Sequence, residues 1–179
     1  MMPEEIATLT TASRPSIASS AFVAPSADVI GDVTIGADSS VWYGCVIRGD
    51  IAPITIGSRT NVQDLTLIHV DRDTPTVIGD AVGIGHRAII HGCTLEDGCL
   101  IGMGAIVLSH AVVGRGSVIA AGALVTEGMV VPPESLVVGM PGRVVRSVDD
   151  ELRGRIAMTV RSYAALREGH RTGRWAGPD

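Results

Sequence analysis

Aromatic residues are scarce: one Phe, two Tyr and two Trp make up 3% of 179 residues, although 46% of the chain is hydrophobic. A core of this size normally takes large rings as fillers. Val, Ile, Leu and Ala must fill it here, which suits a narrow, repetitive interior. No apolar stretch reaches the roughly 20 residues that span a membrane. The opening MMPEEIATLT lacks the basic-then-apolar pattern of a secretory signal, so cytoplasmic residence is expected. The net charge is -5 and no basic run stands out, which argues against a nucleic-acid partner. The three cysteines, Cys45, Cys93 and Cys99, are odd in number and form no CxxC pair. They read as small apolar fillers.

What the chain has instead is a repeat. Aliphatic residues recur every six positions: Val23, Val29, Ile35, Val41, Ile47, then Ile56, Val62, Ile68, then Ile78, Ile84, Ile90. A last frame runs Leu95, Ile101, Val107, Val113, Ile119, Val125, Val131. Glycine often follows, as at Gly36, Gly57, Gly79 and Gly102, and small residues often lie four places on. A period of six fits neither an amphipathic helix nor a simple alternating strand. It fits a prism with one short strand and one turn per hexad and three hexads per coil, coils pairing backbone to backbone at about 4.8 Å. The expected fold is an all-β solenoid of about six coils over residues 15–146, preceded by an arm, 1–14. After it, Ser147 with Asp150 three residues on reads as a helix start. Leu152, Ile156, Val160, Tyr163 and Leu166 give that helix, 147–170, one apolar stripe for the prism. Residues 171–179 read as a tail.

Three of the five histidines, His69, His86 and His91, fall close together. His69 follows Ile68 and His91 follows Ile90, three hexads later, so the two stack on one corner. Arg48, after Ile47, belongs to that column. His86 and Gln63, after Ile84 and Val62, share a second column one face earlier. If three prisms pack around a threefold axis, one subunit's first column can face its neighbour's second. Three imidazoles would then meet at each interface. Three neutral nitrogens with an open fourth position are the pattern of a catalytic zinc-type site, and they suit Zn2+, Fe2+ or Co2+.

The segments VWYGCVIRGD (41–50), NVQD (61–64), IHVD (68–71), IGHRAIIHGC (84–93) and IGMGAIVL (101–108) resemble the γ-class carbonic anhydrases, a family of the bacterial transferase hexapeptide-repeat proteins. That resemblance implies left-handed coils and a homotrimer with His69 and His91 from one subunit and His86 from the next. It implies an interface ion pair between Arg48 and Asp64, and it places Asp50 and Gln63 near the reacting CO2 or bicarbonate. Hydroxide generated at the metal would attack CO2, Gln63 orienting it and Asp50 accepting its hydrogen bond. Asp50 reads equally as part of a plain ion pair with Arg48. Tyr163 matches a family tyrosine near the site. Two departures bear on rate: Ile51 stands where a proton-shuttling glutamate is expected, and Thr159 stands in place of an asparagine. The competing readings are an acyl-CoA-dependent acyltransferase, against which three register-matched histidines argue, a thioesterase, or a non-catalytic assembly subunit.

Overall fold

The computed structural model describes residues 13–175. It is a left-handed parallel β-solenoid of about seven turns with one C-terminal helix. Most of the expected arm, residues 1–12, lies outside the described residues, as do 176–179 of the tail.

Three stacks of inward residues line the prism. One face, the site face, stacks Val29, Ile47, Ile68, Ile90, Val107 and Val125. The next, the open face, stacks Ile17, Ile35, Ile56, Ile78, Leu95, Val113 and Val131. The third, the helix face, stacks Val23, Val41, Val62, Ile84, Ile101, Ile119 and Val137. These are the hexad residues, with Ile17 and Val137 added at the two ends; they take the solenoid past the expected six coils. From Ile35 to Val137 nearly every inward side chain is fully buried. Each buried Val or Ile contributes about 1.5–3 kcal/mol from apolar burial. β-Branched residues suit these strands because their side chains pack closely on a pleated surface.

Two insertions into the period are absorbed at corners. Between Ile47 and Ile56 a single long strand, Val46–Ile56, turns from the site face onto the open face. Between Ile68 and Ile78 the surplus residues form a turn closed by a bridge between Asp71 and Thr74.

Past the last coil, Ser135–Val138 pairs antiparallel with Arg143–Ser147. This hairpin was not expected, and it consumes Ser147 as a strand residue. The helix therefore runs Asp150–Arg171 and is capped by Asp149, whose carboxylate accepts from the Leu152 N–H at 2.9 Å. It lies along the helix face. Gly83 makes the close approach possible: a Cβ there would sit 3.0 Å from Leu100 and 3.1 Å from Thr159. Leu152, Ile156, Val160 and Tyr163 are half-buried as the stripe requires, but Leu166 is exposed. Arg167 takes the inward place instead, pairing with Asp38 at 3.0 Å. At the far end His170 sits among the rings of Phe22, Trp42, Tyr43 and Trp175 and bonds the Tyr43 hydroxyl at 3.0 Å.

Candidate metal centre

The site face has two edges. Its leading corner, where the chain arrives from the helix face, carries Gln63, Asp64 and His86. Its trailing corner, where the chain leaves for the open face, carries Arg48, His69 and His91. Ile47 pairs with Ile68 and His69 with His91, so the first column stands in the register read from the hexads. Val62 pairs with Ile84, which sets Asp64 level with His86 and leaves the expected column mate, Gln63, one residue earlier.

At the trailing corner, His69 Nδ1 and His91 Nε2 are 3.3 Å apart. Two nitrogens on one tetrahedral ion with bonds of about 2.0–2.1 Å also stand about 3.3 Å apart. The opposite nitrogen of each ring is held. His69 Nε2 meets Asp50 Oδ1 at 3.0 Å, and His91 Nδ1 meets the Ser109 hydroxyl at 3.0 Å. The pair therefore fits a divalent cation: two stacked imidazoles share one focus, each oriented by an acceptor on its far side. Arg48 donates to the other oxygen of Asp50. Burial acts to raise the Asp50 carboxyl, but the hydrogen bonds from His69 and Arg48 prevail and hold it below the usual range. Burial, and then the neighbouring His69, hold His91 below the ordinary imidazole value.

The leading corner repeats this logic with one imidazole. His86 Nδ1 meets Asp64 Oδ2 at 2.9 Å, and Tyr163 of the helix brings its hydroxyl to 3.3 Å from His86 Nε2. A carboxylate on Nδ1 fixes the proton there and leaves the Nε2 lone pair free to accept or to ligate. Burial, and then the charge of Asp64, push the Tyr163 phenol up to about 12, so it stays neutral and can donate. Gln63 is buried and donates from Nε2 to Asn61 Oδ1 at 3.0 Å.

His86 does not join the other two within one chain. It begins the site face and His91 ends it, five residues on, and a strand advances about 3.3 Å per residue. Among the described residues no three His, Cys, Asp or Glu side chains converge on one point. Arg48 likewise meets Asp50 within the chain, and Asp64 meets His86. A cleft of about 440 Å³ lined by Ala81, Gly98, Ile156 and Val160 lies on the opposite corner. The three cysteines are buried and free, as expected of fillers.

Sequence reasoning missed Ser109, Asn61 and the hold of Asp64 on His86. Ser109 left one faint sign: it lies one place past Leu108, the residue above His91 on the next rung. Asn61 was in view within NVQD, but nothing in the spacing says that its amide oxygen receives Gln63.

The bacterial transferase hexapeptide family (six repeats) matches residues 92–127. Gamma carbonic anhydrase 1, mitochondrial, of Arabidopsis thaliana is 46% identical over 87% of this chain, which spans only 59% of that relative's length. A carbonic anhydrase of Geobacillus kaustophilus is 47% identical over 78% of this chain and 77% of its own. Among solved structures, a hexapeptide transferase family protein from Anaplasma phagocytophilum superposes with a TM-score of 0.83 at 43% identity, covering 87% of this chain and 92% of that one.

Proposed function

The chain belongs to the γ-class carbonic anhydrase family of the hexapeptide-repeat proteins, and from that premise we propose that it is a homotrimeric metalloenzyme that interconverts CO2 and bicarbonate. The observation that carries the reading is the set of three histidines, each gripped on one ring nitrogen by Asp50, Ser109 or Asp64 and each presenting the other. His69 and His91 of one copy, completed by His86 of the next, would hold the ion. When bound there, a divalent cation supplies Lewis acidity that makes hydroxide available from water at neutral pH.

The trimer has its own support. The outward residues of the site face stack as Val46, Leu67, Ile89, Ile106 and Leu124. A column of five aliphatics on a sheet surface asks for a cover. On the helix face the helix supplies one, and the open face alternates threonine with valine at Thr55, Val77, Thr94 and Val112. If the aliphatic column turns toward a threefold axis, the edges on either side of it meet their neighbours. Those edges are the two half-sites.

Within such a site Asp50 orients His69 and accepts a proton-bearing group, and Gln63, its amide set by Asn61, orients the nucleophile. Tyr163 donates from its neutral hydroxyl beside His86. Arg48 of one copy reaches Asp64 of the next and ties the seam. Proton export is the weak step, because Ile51 offers no carboxylate beside Asp50.

The test is complementation. His86→Ala, and separately His69→Ala with His91→Ala, should each lose metal, measured as ions per chain by mass spectrometry. Co-expressed, they should regain it, since one interface of each mixed trimer recovers all three histidines. Full metal occupancy in His86→Ala alone refutes a shared site. Metal retained without CO2 hydration would favour acyl transfer, thioester hydrolysis or an assembly role.

A further inference from the structure

At the leading corner one residue per rung lies in the left-handed region: Gly44, Leu65, Arg87, Gly104 and Gly122, with φ of 67, 63, 59, 67 and 67°. Their N–H groups form a continuous ladder, Leu65 to the Tyr43 carbonyl, Arg87 to Asp64, Gly104 to His86 and Gly122 to Met103. Glycine enters that region freely and other residues do so at a cost. The two rungs without glycine are the two that carry Asp64 and His86.

Charged residues occupy the same region elsewhere, and most have a partner within the chain. Asp38 pairs with Arg167 at 3.0 Å, Arg59 with Asp80 at 3.1 Å, and Glu134 with Arg153 at 2.9 Å. Arg87 and Asp73, at φ 59 and 57°, are the exceptions: both are exposed, and neither side chain has an ion pair or hydrogen bond among the described residues. They are of opposite charge and stand on opposite edges of the site face. Arg87 directly follows His86. Asp73 belongs to the turn that leaves His69, and it borders a hollow of about 200 Å³ with Thr74, Gly92 and His110. Asp71, its neighbour in the turn, is engaged with its own backbone, accepting from the Arg72 N–H at 2.9 Å.

An interface that carries His86 of one copy to His69 and His91 of the next also carries the residue after His86 to the residues after His69. We infer that Arg87 of one copy pairs with Asp73 of the next, pinning the 71–74 turn across the seam beside the histidines. This rests on the shared-site trimer proposed above. Arg87 is then a positioning residue. Its side chain is tolerated where glycine would fit better because it gains an ion pair that only the assembly offers.

Charge exchange tests it. Full-length Arg87→Glu, Asp73→Arg and the double exchange would be followed by light scattering through a dilution series at low and physiological salt. Metal per chain would be measured in parallel. Each single reversal should raise the dissociation midpoint about ten-fold or more at low salt, and less at high salt. The double exchange should restore most of the loss, which two independent structural defects would not do. Arg87→Gly suits the backbone at φ 59° and should keep the natural circular dichroism while weakening the trimer less than Arg87→Glu. Unchanged dissociation in Arg87→Glu overturns the inference, as does a double exchange no better than the sum of its singles. A natural protein that stays monomeric at every concentration overturns the shared-site trimer as well, and that is seen before any variant is made.

Discussion

Replacing Asp50 by asparagine changes the charge at the site with almost no change of shape. Asp50 Oδ1 lies 3.0 Å from His69 Nε2, and its other oxygen is held by Arg48. The amide can still accept from His69, but it no longer favours the proton on Nε2 and no longer makes Nδ1 the more basic nitrogen. Groups that orient a ligating histidine from behind typically contribute about 10–100-fold in metal affinity. That range corresponds to about 1.4–2.7 kcal/mol. Bonds to an ionised acceptor are roughly twice as strong as those to a neutral one. Asp50→Asn should therefore fall in the 10–100-fold range, and Ser109→Ala, which removes only a hydroxyl from His91, should stay below about ten-fold. Competition with a chromogenic chelator at neutral pH reads both. The Asp50 side chain is 32% exposed, so its surface ion pair adds at most about 1 kcal/mol to folding, and thermal melts should barely move. An unchanged affinity in Asp50→Asn, with a large loss in Ser109→Ala, would refute the reasoning. His69 would then be turning Nε2, not Nδ1, toward the ion.

Three further expectations can be checked directly. Arg48→Ala should weaken the trimer by leaving the Asp64 charge with only the neutral His86 ring as partner, at a cost of several kcal/mol if the seam buries it; an unchanged mass by light scattering counts against that pairing. Ile51→Glu, or a concentrated imidazole buffer, should raise CO2 turnover, since a group that moves the limiting proton typically contributes about 10²–10⁴-fold; turnover in the natural protein that is already fast and indifferent to buffer would point to another relay. The Cys99 thiol, pushed by burial from 9.0 up to about 12, keeps its proton when folded across a range where the unfolded thiol loses it. Stability should therefore be level below pH 9 and fall above it by up to about 1.4 kcal/mol per pH unit. Chemical denaturation of Cys99→Ala across that range should show a shallower fall; equal slopes in the two proteins would discard the effect.

The repeat made the prism legible because every coil restates the same demand, one aliphatic every six residues. Ile17 and Val137 continue the frame, six residues before Val23 and six after Val131, but each is its terminal member: no aliphatic lies six further out, and Val137 stands behind Pro132 and Pro133, which read as a loop. The Arg143–Ser147 strand escaped for a different reason. Val144, Val145 and Arg146 have no alternation that distinguishes a capping strand from a loop, and its pairing with Ser135–Val138 closes only in three dimensions. Ser147 was a reasonable cap by residue type, but the hairpin claimed it and Asp149 took the role. The stacking of His69 on His91 followed from counting hexads alone; the same count set Gln63 under His86, whereas the register places Asp64 there and Gln63 one residue earlier, beside Gly85. The groups that orient the histidines did not follow from the count, because Asp50, Ser109 and Tyr163 reach their partners across rungs or from the helix, at separations of 19, 18 and 77 residues. The same holds for His170, 127 residues from the tyrosine it bonds.

The extruded turn at 71–74 shows what changes of length this architecture can absorb. Residues added at a corner leave the prism without disturbing the rungs above and below, as the four surplus residues between Ile68 and Ile78 do. Residues added within the regular frame are different. Inserting one hexad between Ile68 and Ile90 would advance every later residue by one face, so that His91 would arrive on the open face and leave His69 alone. Inserting three would return His91 to its own face but one rung, about 4.8 Å, too high to share an ion with His69. Upstream of Val46, a whole added coil would lengthen the rod and leave both half-sites intact; downstream of Ser109 it would spare the three histidines and Ser109 but carry the helix, and with it Tyr163, away from His86. The genetic prediction is a chain whose length can vary in whole coils at its N-terminal end and in loops at its corners, the 71–74 turn included, and hardly at all within the regular frame between Arg48 and His91.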